Sequence, residues 1–126
     1  MLDIAKFNEI LDELHADSAE IEASALITDD GMMMASHLPM GVNEERISAM
    51  SAALLSVSER MIDTLSGNES ERVMVQSKVG YVIVSAVAES LLLTVVARPD
   101  AKLGMVFHDI KKASQAVQAV LNSQVA

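Results

Sequence analysis

Three histidines supply all the imidazoles of this chain, and His15, His37 and His108 fall on three separate predicted elements, never at ligand spacing. His108 and Asp109 come nearest to a metal or acid–base pair. Adjacent residues on a helix point about 100° apart, however, so the two do not converge on one ion. Asp29-Asp30 offers carboxylates to a divalent cation, but oxygen-ligand sites need several groups at defined spacing and no such series follows. Ser24, Ser36, Ser48, Ser51, Ser56, Ser58, Ser85 and Ser90 all lie outside a G-x-S-x-G elbow, and no nearby His–carboxylate sequence supplies a base. Gly31, Gly41, Gly67, Gly80 and Gly104 are scattered, and neither a P-loop nor G-x-G-x-x-G passes through them. The absence of cysteine removes thiol chemistry, disulfides and Cys-based zinc sites. The expectation is a protein that is not an enzyme and holds no cofactor and no metal.

Charge narrows the partners. The formal net charge is −9. Asp3, Glu9, Asp12, Glu13, Asp17, Glu20, Glu22, Asp29 and Asp30 face only Lys6 as a basic neighbour over that stretch. Such a surface repels phosphate backbones and anionic lipid, and the small group Lys102, Lys111 and Lys112 does not reverse it, so no nucleic acid is expected as a partner. No direct membrane insertion is expected either: Glu89 and Ser90 break the run YVIVSAVAESLLLTVVA into two strands. The acid-bearing start MLDIAKFNEILDELH lacks the features of a signal peptide, which fits a cytoplasmic address.

One domain over residues 1–126 accounts for the length. Its core is aliphatic, with nine Met but one Tyr, two Phe and no Trp. Methionines adapt to irregular surfaces, yet Met32 and Met34 share one strand face while Met33 takes the other, so the triplet is not a single patch.

The elements follow from periodicity. Ile4, Phe7, Ile10, Leu11 and Leu14 share one helical face, with Asp3 placed to cap the start. Residues 21–28 alternate as a strand. Asp29-Asp30-Gly31 supplies a tight turn, and residues 32–37 return. After the break Leu38-Pro39-Met40-Gly41, Asn43 caps a helix predicted over residues 44–65, and Gly67 stands at its C-terminal cap. Strands over 71–77, 81–87 and 91–97, joined by short links, make an antiparallel meander. Asp100 is placed to cap a last helix whose buried stripe runs from Leu103 to Leu121. The order α-β-β-α-β-β-β-α puts both terminal helices on one face of the sheet and the middle helix on the other.

That middle helix has more apolar surface than one stripe needs. Ile47, Met50, Leu54, Val57, Met61 and Leu65 recur at steps of three or four and are expected to pack inward. Ala52, Leu55, Ser58 and Ile62 then form a second surface, which a second copy of the chain is expected to cover. The mixed strand ERVMVQS suits an edge or an interface.

The segments ALITDDGMMMASHLP, GVNEERISAMSAALLSVSERM, GYVIVSAV and VVARPDAKLGMVFHDIKKA, in this order and spacing, resemble the Roadblock/LC7 family, especially prokaryotic members that regulate or scaffold Ras-like small GTPases. The resemblance covers Phe7 to Leu121. It implies an α/β (α+β) fold with a five-stranded antiparallel sheet of order 2-1-5-4-3. It also implies a homodimer that pairs its third strands and packs its long helices together, with Arg72, Val73, Met74, Val75 and Gln76 at the strand edge, Ser51, Leu55, Ser58 and Ile62 on the helix, and some of the Ile47-Met50-Leu54-Met61 row shared between core and interface. The implied function is non-enzymatic binding of a Ras-like small GTPase. An adaptor subunit that does not read nucleotide state is the alternative. A small-molecule sensor is a third reading, although Ile83, Val84, Leu92, Val95 and Val96 look sufficient to fill the interior.

Overall fold

The computed structural model describes residues 3–67 and 71–125. Its elements are α1 (Ile4–Asp17), β1 (Ile21–Thr28), β2 (Met33–His37), α2 (Glu44–Ser66), β3 (Arg72–Ser77), β4 (Gly80–Ala88), β5 (Leu91–Ala97) and α3 (Leu103–Val125). The strands form one sheet of order β2-β1-β5-β4-β3 with every neighbouring pair antiparallel. The α+β architecture is therefore the expected one.

Local chemistry sets the boundaries. The Asp3 carboxylate accepts from the Lys6 N–H at 3.2 Å, and Asn43 Oδ1 accepts from the Arg46 N–H at 3.0 Å, so both helices start on a side-chain cap. Gly67 ends α2 in the left-handed region at φ 72°, its N–H donating to the Asp63 carbonyl. The β1–β2 turn closes through the Thr28 hydroxyl, which donates to Asp30 and accepts from the Met32 N–H. Gly80 has no substitute: a Cβ there would lie 2.3 Å from the Ala97 carbonyl oxygen.

The expected cap at Asp100 is corrected. Asp100 pairs with Arg98, and the carboxylate that receives the Lys102 N–H, at 2.9 Å, is Glu20 from the α1–β1 link. A residue distant in sequence thus tethers the α3 entrance to the start of the sheet.

Register assigns the two faces. Ala25, Thr94, Val84 and Val73 stand opposite one another on successive strands, as do Leu26, Leu93, Ser85 and Arg72 one residue along. The second row lies under α1 and α3, where Phe7, Leu11, Leu26, Ile83, Leu93, Val95, Val106 and Val117 form the larger core. The first row lies under α2, where a smaller cluster joins Ala25, Ile27, Val84 and Leu92 to Leu55. β4 and β5 are covered on both sides, which is why they read as nearly continuous apolar runs.

The orientation of α2 reverses the expected one. Its buried residues are Ser48, Ser51 and Leu55, whereas Met50, Val57, Met61 and Leu65 are exposed. The serines tolerate this because their hydroxyls are satisfied locally. Ser48 Oγ donates to the Glu44 carbonyl at 3.0 Å, Ser58 Oγ to the Leu55 carbonyl at 2.8 Å, and Ser51 Oγ accepts from Thr94 Oγ1 at 2.8 Å. Small side chains with internal hydrogen bonds let the helix approach the sheet, and the bulkier residues turn outward.

Candidate interaction surface

β3 is an edge strand with nothing paired to its outer side among the described residues. Its alternation divides the edge between the faces: Arg72, Met74 and Gln76 belong with the α1/α3 side, Val73 and Val75 with the α2 side. Met74 is 41% exposed and Val75 46%, both unusual for a free edge, where charge normally blunts pairing. Arg72 is held by its own protomer, its guanidinium carbon 4.5 Å from the centre of the Phe107 ring.

Beside this edge runs the outward row of α2, with Met50 54%, Val57 44%, Met61 62% and Leu65 80% exposed. Between that helix flank and the sheet lies an apolar groove of about 330 Å³, walled by Ile47, Met50 and Leu54 and floored by Val82, Val84 and Val96. Val82 pairs with Val75, so groove and strand edge form one surface. Leaving so much aliphatic area in water costs roughly 25 cal/mol per Å², and patches of this kind mark contact sites.

The residues implied for a dimer interface therefore separate into two groups. Arg72, Met74, Val75 and Gln76 are exposed, and Val73, Ser58 and Ile62 are half-buried. Ser51 and Leu55 are spent on the protomer's own sheet, Ser51 through Thr94 and Leu55 in the α2-side core. Met50, Val57, Met61 and Leu65 are the helix positions that periodicity assigns to the interior, although the family resemblance shares the row of Met50 and Met61 between core and interface. Their exposure was hidden because hydropathy ranks methionine and leucine above serine.

A second cluster escaped the sequence reading. The rings of His15 on α1 and His37 on β2 stack with centroids 3.7 Å apart and planes at 8°. His37 Nδ1 donates to Asp12 Oδ1 at 3.2 Å, and His15 Nε2 is hydrogen-bonded to Ser24 Oγ at 2.8 Å. Burial, and then the neighbouring His37, push the His15 imidazole below its ordinary value, with Asp12 opposing them. The clue in the sequence is the hairpin, which sets Ser24 opposite His37 on the face that α1 covers. Ser24 is 1% exposed, so its contact with His15 is a buried hydrogen bond between β1 and α1. Among the described residues no three His, Cys, Asp or Glu side chains are grouped to hold a metal ion, and no helix is long and apolar enough to cross a membrane.

Comparison with known proteins agrees with this geometry. A family model for the Roadblock/LC7 domain matches residues 7–97. An uncharacterized protein of Methanocaldococcus jannaschii is 28% identical over 102 residues, covering 79% of this chain and 87% of that protein. The solved structure of Myxococcus xanthus MglB superposes with a TM-score of 0.89 at 20% identity, covering 96% of this chain and 91% of that one. The Roadblock/LC7 domain from Streptomyces avermitilis superposes with a TM-score of 0.82 at 16% identity, covering 90% and 96% respectively. By fold, strand order and a sequence match over most of its length, this chain belongs to the Roadblock/LC7 family.

Proposed function

We propose that this protein is a non-enzymatic homodimer that binds a Ras-like small GTPase, as a regulator of its nucleotide cycle or as its scaffold. The observation that carries the reading is one continuous apolar surface formed by the β3 edge and the outward row of α2. A strand edge recruits a second strand through its backbone, and an adjacent helix row adds hydrophobic contact. A second copy supplies both at once, related by a two-fold axis. At 23 residues α2 is about 34 Å long, against about 19 Å across five strands, so it is long enough to extend past its own sheet toward a second copy. The interface then comprises Val73, Met74, Val75 and Gln76 on the strand, with Arg72 at its start, and Met50, Val57, Met61 and Leu65 on the helix, flanked by Ser58 and Ile62.

GTPase binding rests on family membership and on the likeness to MglB. Any stimulation of hydrolysis would work by ordering the GTPase's own switch residues. An arginine finger has little support, because Arg72 is stacked on Phe107 and Arg98 is paired with Asp100. Pull-down against the small GTPases of the same cell, loaded with GDP or with a GTP analogue, tests this. Retention of one nucleotide form over the other is expected of a regulator. Equal retention indicates an adaptor, and no retention in either state refutes GTPase binding.

A further inference from the structure

The sheet face opposite α2 carries a cleft that the proposed function leaves unused apart from Arg72, which stands where cleft and strand edge meet. It has a volume of about 1070 Å³ and lies between the start of β3, the end of β4 and the second half of α3. One wall is fixed by a bulge in β4. The ladder to β5 shifts between Ala86 and Ala88, and the Val87 carbonyl accepts from Ser114 Oγ at 3.2 Å and Gln118 Nε2 at 2.7 Å. Helix and strand are thereby tied together along the cleft.

Ser85 lies on the floor, 4% exposed, and among the described residues its Oγ has no hydrogen-bond partner. Native proteins pair the large majority of buried hydroxyls, because a desolvated donor left unmade is costly, so this one calls for a group beyond the described residues. Arg72 and Lys111 line the same cleft, and among the described residues neither lies within ion-pair distance of a carboxylate. Among the described residues Glu71 is the single acid of the lining. The chain as a whole has 18 acids to 9 bases, so a cleft whose described lining has two bases to one acid inverts the charge of its surroundings. A buried hydroxyl donor and two cations lining one cleft make a donor set for an oxyanion. A water molecule would satisfy the hydroxyl and leave the cations unused.

We propose that this cleft binds a small anion through a phosphoryl or carboxylate group, with Ser85 Oγ donating at the floor and Arg72 and Lys111 closing on its charge. Isotope-labelled protein titrated with inorganic phosphate and, separately, with citrate, at ionic strength held constant with sodium chloride, tests it by amide chemical shifts. Saturable shifts confined to Ser85, Ala86, Lys111 and Ser114 are expected. Phosphate alone acting assigns a phosphoryl ligand, and citrate alone a carboxylate. Lys111→Ala and Ser85→Ala are each expected to weaken binding about tenfold, the size of one lost charge-assisted hydrogen bond. Without anion, Ser85→Ala is expected to melt at or above the parent temperature, since it removes an orphaned hydroxyl. Shifts that never saturate, or that appear equally at Lys6, Lys78 and Lys102, mean an adventitious ion only and overturn the proposal. Undiminished binding by Ser85→Ala overturns it as well. Both variants lie off the β3 edge, so the test stands whether or not the protein dimerises.

Discussion

The His15–His37 stack makes this molecule sensitive to acid in a predictable direction. The folded pKa of His15 lies below its ordinary value of 6.5, so the unfolded chain takes up this proton first as pH falls. The contribution of His15 to stability is therefore fully present above about pH 6.5 and declines below it, until the folded form is protonated too. Thermal melts from pH 8 to pH 5 should show this acid limb, and His37→Asn, which removes the second ring, should flatten it. A limb of equal slope in the variant would mean that the stack does not matter. The Ser51–Thr94 pair makes a second residue-scale prediction. Ser51→Ala strands the buried Thr94 hydroxyl and is expected to cost about 1–2 kcal/mol. Adding Thr94→Val should recover most of that loss in a denaturant-unfolding cycle.

At the scale of the element, α2 shows where sequence reading succeeds and where it fails. Its bounds were legible because Asn43 and Gly67 act through local chemistry, as does the turn at Asp29-Asp30-Gly31. The faces of the sheet were legible only in part: Ala25 and Ile27 share the α2 side as alternation predicts, but a bulge between Ile21 and Ala23 puts Ile21 in the core on the α1/α3 side. The inward side of α2 was not legible. Burial of Ser48 and Ser51 depends on hydroxyls that bond within the helix or to Thr94, and no hydropathy pattern reports such bonds. The α3 entrance was misassigned for a related reason: Glu20 reaches it across the fold, whereas Asp100 was merely adjacent. For the proposed interface, Met61→Asp with Met74→Asp places charges where the two copies meet. Each is expected to cost about 3 kcal/mol, a hundredfold or more in dimer affinity. Sedimentation equilibrium that still reports an intact dimer would remove this surface from consideration.

For the whole molecule, unequal cores imply unequal stability. The α1/α3 side buries Phe7, Leu11, Val106, Ile110 and Val117 against the sheet, whereas α2 contributes Leu55 as its one fully buried apolar side chain. Hydrogen exchange on a concentration series should find the α2 amides opening faster as the protein is diluted, with the α1 and α3 amides unchanged. Uniform protection at every concentration would show that α2 needs no second copy.

The serine-lined underside of α2 has a last consequence. A strut fastened to its own platform by Leu55, the half-buried Leu54 and a few hydroxyl bonds keeps little rigidity in isolation, so with the proposed dimer abundance in the cell becomes a structural variable. Scarce protomers would carry a loosened strut and a frayed surface for visitors. Plentiful ones would stiffen each other, and recruitment of a guest would then rise more steeply than the amount of protein made.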